Sequence, residues 1–315
     1  MELLLVVLVA FAVTGGIVSA FIAGRAKLSV AATVFCGVFV QALPFLVLGV
    51  VVSGLVAAFV TPDRLARWLP RRSAAAVLVA GVAGAALPGC ECGSVPVARR
   101  LFDGASAAAA LTFMLSAPAI NPVVLVATSV AFPGEPRMVL ARLIGSLLTA
   151  VVMGALWLRL GRADWVTRRL PKPHDADASR WTVFTEAARH DFLTAASYLV
   201  LGAAAAGALR VLVPPWVFAN LAGHLVLAVV MMALLAVVLA LCSEADAFVA
   251  ASLTAIPLLP KLVFLVVGPA VDVKLFAMQA GMFGRRFAIR FAPATFVVAT
   301  LVATAVGLLV LGGAR

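Results

Sequence analysis

Long apolar runs with almost no charged residues occupy most of this 315-residue chain. Hydrophobic residues make up 64% of it and charged residues 12%, whereas a soluble domain has roughly 45–50% and about 25%. The runs long enough to cross a bilayer as single helices lie at residues 3–23, 30–60, 138–158, 192–213, 221–241 and 287–311. The sequence therefore predicts an all-α polytopic membrane protein and excludes a soluble, disordered or disulfide-rich secreted fold.

The chain carries a net charge of +11, from 24 Lys+Arg against 13 Asp+Glu. In a soluble protein this excess would suggest nucleic-acid binding. Here most basic residues lie in short segments between apolar runs, where they set the orientation of the helices and contact anionic headgroups. We therefore expect the lipid bilayer, and no nucleic acid, as a partner.

Shorter apolar pieces lie around residues 74–132 and 242–283, where Pro and Gly interrupt the runs. Pieces of this length cannot cross a bilayer alone. They are typical of discontinuous or re-entrant helices, which occur only where protein or a watery cavity satisfies the freed backbone groups.

The two halves of the chain resemble each other at an offset of 151–153 residues. Similar segments end at Gly49 and Gly202, at Cys90 and Cys242, and a third pair centres on Asn121 and Asp272. This duplication predicts two repeats of about five segments each, following an extra N-terminal helix. The predicted parts are an N-terminal transmembrane helix at 1–29, repeat 1 at 30–158, a polar linker at 159–190 and repeat 2 at 191–315.

The distribution of basic residues favours inverted over parallel repeats. If the repeats are inverted and the linker is cytoplasmic, 14 Lys and Arg lie inside and five lie outside. This excess agrees with the positive-inside rule. A parallel arrangement would place the basic segment at 61–72 or the one at 285–290 outside.

The first candidate functional segment is Leu87-Pro-Gly-Cys-Glu-Cys-Gly-Ser-Val-Pro96. Proline and glycine favour an irregular turn in which the sulfurs of Cys90 and Cys92 can converge on one soft metal or metalloid. The alternative is that both cysteines are packing residues at a kink. Because there is no second such pair, a closed four-cysteine zinc site is not expected.

Two further segments carry polar residues. One follows Cys242 in the second half, and the other is the third repeat pair, around Asn121 and Asp272. Glu244 and Asp246 follow Cys242, and acidic residues at membrane depth cost about 2.5–3.5 kcal/mol each and usually line a pathway or a proton relay. Asn121 lies between two prolines and is mirrored by Asp272, which suits a break between half-helices. The alternatives are a solvated segment at the interface and a surface turn.

These motifs resemble the bacterial predicted-permease family of YraQ and ArsP type, which typically has a Cys-Ser-Cys-Gly stretch followed by Ala-Pro-Ala-Ile-Asn-Pro. Glu91 stands here where serine is more usual in that family. Characterised ArsP-type members export trivalent organoarsenicals. The resemblance implies an inner-membrane permease, not an enzyme, with no cofactor, in which Cys90 and Cys92 contact the substrate and Asn121 belongs to the transport core.

We therefore predict a multi-pass secondary permease of the bacterial inner membrane that exports a thiol-reactive metalloid or soft metal compound by proton coupling. The predicted substrate-binding residues are Cys90, Glu91, Cys92, Asn121 and Cys242, of which Cys90 and Cys92 are the candidate metalloid ligands. The predicted proton-coupling residues are Glu244, Asp246 and Asp272. Two alternatives stay open: a permease for another small solute with structural cysteines, and a membrane thiol redox protein, for which Cys-x-x-Cys is the commoner motif.

Overall fold

The computed structural model describes residues 26–59, 73–86, 91–104, 106–162, 165–166, 179–212, 225–253 and 256–312. Within these ranges the secondary structure is helical, and no strand occurs. Most of the predicted N-terminal helix, at 1–29, lies outside the described residues.

Six helices in each half make up the described part of the fold. The first half contains α1 Ala26–Phe59, α2 Ser73–Ala83 with a 3-10 turn at Gly84–Ala86, α3 Glu91–Gly104, α4 Ala107–Ile120, α5 Pro122–Ala131 and α6 Pro136–Leu160. The second half contains α7 Arg180–Leu212, α8 Leu225–Leu239, α9 Ser243–Ser252, α10 Leu258–Ala270, α11 Val273–Met282 and α12 Arg285–Val310. Helices α2 to α5 begin 151 or 152 residues before α8 to α11, respectively.

In the described part of each half, one long apolar stretch is broken by a polar cap. Asn121 is extended (φ −65°, ψ 151°), and its Oδ1 accepts a hydrogen bond from the N–H of Val124 at 2.9 Å, which caps α5. Pro122 occupies the first turn of α5, where its missing N–H costs nothing. In the second half, Asp272 caps α11 by accepting from the N–H of Leu275.

Four apolar stretches of the described chain are long enough to cross a membrane: Ala107–Ala131, Pro136–Leu160, Leu258–Met282 and Arg285–Val310. The two broken stretches, α4–α5 and α10–α11, are mostly buried in the protein, whereas α12 is mostly exposed. Val297, Leu301 and Leu309 are large exposed apolar side chains on α12. A surface of this kind faces lipid, and the prediction of an all-α polytopic membrane protein is confirmed.

Helices α1 and α7, which begin the two halves, pack side by side in opposite directions. Near the end of α1, Phe59 contacts Trp181 near the start of α7, with ring centroids 6.1 Å apart. Ser53, earlier in α1, donates a hydrogen bond to Asp191, later in α7, at 2.7 Å. Helices α1 and α7 are therefore antiparallel. Helix α7 also begins at Arg180, inside the segment 159–190 that the sequence predicts as a linker.

One end of the molecule is closed by an aromatic cluster, formed by Phe102, Trp157, Phe283, Phe287 and Phe291. Trp157 at the end of α6 lies 5.6 Å from Phe287 and 6.1 Å from Phe102, measured between ring centroids. The ends of α3, α6 and α11 and the start of α12 therefore meet here. This arginine-rich end also carries exposed basic side chains at Arg159, Arg162, Arg285, Arg286 and Arg290.

Candidate functional site

The N-termini of two short helices meet in the interior of the protein. Glu91 is the first residue of α3 and Ser243 the first residue of α9, and both are fully buried. The Ser243 hydroxyl donates to Glu91 Oε2 at 3.4 Å, across 152 residues of sequence. Because a helix N-terminus carries partial positive charge, both helix ends stabilise the Glu91 carboxylate. Two positions related by the repeat offset are thus in direct contact.

The other oxygen of the same carboxylate pairs with a lysine from the second half. Lys274 Nζ forms an ion pair with Glu91 Oε1, and both side chains are buried. The same Nζ lies 3.6 Å from Oδ2 of Asp272, which is also fully buried. Glu91 is therefore held by two residues of the second half, Ser243 and Lys274.

A buried arginine joins the start of α9 to the first half. Arg142 of α6 has no exposed surface. Its Nη1 donates to Thr128 Oγ1 at 2.7 Å, and its Nη2 donates to the backbone carbonyl of Ser243 at 2.8 Å. The guanidinium thus ties α5, α6 and the first turn of α9 together.

Asp246 completes the group, one turn after Ser243 on α9. Its carboxylate lies against Gly268 of α10, where a Cβ would stand only 2.6 Å from Oδ2. No described residue donates a hydrogen bond to Oδ2. We call Glu91, Asp246, Asp272, Arg142 and Lys274 the buried charge cluster. It contains three carboxyl groups and two cations.

The structure brings three of the predicted site residues, Glu91, Asp246 and Asp272, into this cluster. Cys242 is buried and immediately precedes α9. Cys90 lies outside the described residues. Cys92 lies on α3, and only its backbone is described. No group of three or more His, Cys, Asp or Glu side chains within the described ranges is arranged to hold a metal ion.

Glu244 lies on α9, and its side chain is likewise outside the described part of the structure. Asn121 is buried, and its amide contacts backbone: Oδ1 caps α5, and Nδ2 donates to the carbonyl of Ala117 at 3.4 Å. Its visible role is therefore to close the helix break. Cys36 is exposed on α1.

The sequence alone predicts no role for Arg142, Lys274 or Asp191, all of which are buried. Asp191 accepts hydrogen bonds from Ser53 at 2.7 Å and from Arg100 at 3.1 Å, which joins α7 to α1 and α3. The available signal was a charged residue inside or beside an apolar run, since such residues are costly and rarely face lipid. Their partners could not be read from spacing, because each comes from a distant segment.

An apolar cavity of about 410 Å³ lies between α8, α11 and α12 and reaches the break at Asp272. Its lining includes Leu234, Phe276 and Val297, which are exposed on the apolar surface. The cavity therefore gives an apolar group a path from the lipid-facing surface toward the helix break.

Comparison with known proteins agrees with this architecture. The sequence profile of the ArsP-type predicted-permease family matches residues 27–308. A Streptococcus mutans protein, whose name describes a subunit of a two-component membrane permease complex, is 32% identical over 285 residues, which cover 88% of this chain and 94% of that protein. The UPF0718 protein YcgR of Bacillus subtilis is 33% identical over 279 residues, covering 86% and 94%, respectively. No solved structure matches.

Proposed function

The chain belongs to the ArsP-type predicted-permease family and is a membrane transporter rather than an enzyme, and from this premise we propose that it exports a thiol-reactive metalloid or soft metal compound by proton coupling. The family and the apolar helices make it a multi-pass membrane protein with a small-molecule substrate. The substrate class, the direction of transport and the coupling ion are the proposal.

The contact between Glu91 and Ser243 carries this proposal. Cys90 and Cys92 are the chain neighbours of Glu91, and Cys242 is the chain neighbour of Ser243. From these chain neighbours we expect the three cysteines to lie near the two converging helix N-termini. Thiolates select soft metals and metalloids over hard cations. The apolar cavity beside Asp272 suits the organic group of a trivalent organoarsenical.

The proposed mechanism is alternating access by two inverted repeats. The antiparallel packing of α1 on α7 supports inversion, because an axis along the membrane normal would make equivalent helices run in the same direction. Contact between the equivalent residues Glu91 and Ser243 supports an axis through the buried charge cluster. In transporters of this kind, substrate and coupling ions bind near the midplane, where the broken helices meet.

Proton coupling is proposed from the charge balance of the cluster. Three carboxyl groups face two cations among the described side chains, so the cluster is neutral when it holds one proton. We place that proton on Asp246, whose Oδ2 accepts no described hydrogen bond. Asp272 has Lys274 nearby. Glu244, which the sequence predicts as a proton-coupling residue together with Asp246 and Asp272, is the other candidate.

Thiol protection tests the substrate class. In purified protein, we expect phenylarsenite to protect Cys90 and Cys92 from a maleimide reagent, measured by mass spectrometry of their peptide. Cys36 is the internal control, because it is exposed on α1 and should be labelled equally with and without the arsenical. Unprotected Cys90 and Cys92 would instead favour a permease for another solute with structural cysteines.

Asp246→Asn tests the coupling. The substitution keeps the size of the side chain and removes the exchangeable charge. We expect transport driven by a proton gradient to fall to background in vesicles, while phenylarsenite still protects the cysteines. If Asp246→Asn transports at the wild-type rate and Glu244→Gln does not, the proton belongs on Glu244.

A further inference from the structure

We propose that Lys274 is a positioning residue that exchanges its ion pair between the two halves of the chain during each transport cycle, an inference that rests on the proposed transport function. In the state seen here it holds Glu91 of α3. In the alternative state it pairs with Asp272, next to its own helix, and α3 is released.

The geometry places Lys274 between two carboxylates from different halves. Its Nζ pairs with Glu91 Oε1 and lies 3.6 Å from Asp272 Oδ2, and none of the three side chains has appreciable exposure. Glu91 belongs to the first half, whereas Asp272 is only two residues from Lys274. A small movement of one ammonium group therefore changes a contact between the halves into a contact within one half.

Asp272, the second partner of Lys274, allows the ion pair between Lys274 and Glu91 to separate. Removing one member of a buried ion pair leaves an uncompensated charge, which is strongly unfavourable. With Asp272 in reach, Lys274 keeps a carboxylate when α3 moves away. The remaining charged groups of the cluster, Arg142 on α6 and Asp246 on α9, face the same region from the other packed elements.

Comparison of the two halves supports a role beyond helix capping. In the first half, Asn121 caps α5 with a neutral amide, and Val123 occupies the position equivalent to Lys274. The cap therefore needs no charge. The carboxylate and the lysine occur together only in the second half, where Glu91 is within reach.

Asp272→Asn isolates this role, because asparagine retains the capping oxygen, as in the first half, and removes the second carboxylate. The measurement is the rate at which an impermeant thiol reagent labels Cys90 and Cys92 from each side of sealed, oriented vesicles, without substrate or gradient. Wild type should be labelled from both sides. For Asp272→Asn we expect labelling from one side to fall by about tenfold, because the ion pair with Glu91 is no longer exchangeable.

The double variant Glu91→Lys/Lys274→Glu is the second test. It restores an ion pair between the halves but puts a second carboxylate beside Asp272, so exchange is blocked. We expect one-sided labelling and a lowered melting temperature, because position 91 lies at two helix N-termini, which favour a carboxylate over an ammonium group. A purely structural ion pair would restore transport and two-sided labelling.

Three results would overturn the proposal: wild-type labelling from one side only, wild-type rates in Asp272→Asn, or transport restored by the double variant. If phenylarsenite fails to protect Cys90 and Cys92 from maleimide labelling, that result overturns the proposed substrate class instead. Because no substrate is present in the labelling experiment, the two failures are distinguishable.

Discussion

Single buried residues hold the site together, and Arg142 is the clearest case. Its guanidinium donates hydrogen bonds to the carbonyl of Ser243, the first residue of α9, and to the hydroxyl of Thr128. Arginine suits this position because its planar group donates in fixed directions to two acceptors at once, whereas the lysine ammonium is a compact point charge.

Arg142→Met should therefore destabilise the protein and abolish transport. Hydrogen bonds to a charged group contribute about 1.5–3 kcal/mol each, and both would be lost. Arg142→Lys retains the charge and reaches one acceptor, so we expect an intermediate melting temperature in detergent. Equal melting temperatures for wild type and Arg142→Met would contradict the assigned role.

Ala240 is a second residue that the fold constrains, because it takes a left-handed conformation (φ 47°) at the break between α8 and α9. A side chain in this region costs about 1–2 kcal/mol relative to glycine. Ala240→Gly should therefore preserve or raise thermal stability and leave transport intact, whereas Ala240→Val should lower both. A stability loss in Ala240→Gly as large as that in Ala240→Val would argue against this backbone conformation.

The helices show how far the sequence predicts the structure. The breaks at Asn121 and Asp272 were predictable, because a capping side chain stands where an apolar run is interrupted by proline or glycine. The start of α7 at Arg180 was not, because its first turns are polar and resemble a linker. The pairing of Glu91 with Lys274 was also hidden, since it depends on how α3 and α11 pack.

Two glycines of α1 give a matched test of helix packing. A Cβ at Gly49 would overlap the backbone of Gly93 in α3, whereas a Cβ at Gly37 would have no atom of the described residues within 4 Å. Gly49→Ala should force α1 from α3 and destabilise the protein by about 1–3 kcal/mol. Gly37→Ala should be neutral or stabilising by about 0.5–1 kcal/mol. Melting curves that shift equally for both variants would refute the close contact.

The distribution of basic residues predicts the orientation of the protein in the membrane. The arginine-rich end carries Arg286. Glu135 lies at the opposite end, because it directly precedes α6, which ends at Leu160. Basic segments stay in the cytoplasm. In sealed right-side-out vesicles, an impermeant maleimide should therefore label Glu135→Cys and spare Arg286→Cys, with the pattern reversed in inside-out vesicles. The reverse result in both preparations would place the linker outside.

The proposed function requires that Cys90 and Cys92 bind a soft metalloid and that a proton gradient drives its export. The direct measurement is accumulation of a trivalent organoarsenical in inside-out vesicles with an imposed proton gradient. Wild type should accumulate it, a protonophore should abolish accumulation, and Cys90→Ser/Cys92→Ser should show none while retaining its melting temperature. The proposed function would be contradicted if the serine variant accumulated the organoarsenical at the wild-type rate, or if accumulation by the wild type did not depend on the proton gradient.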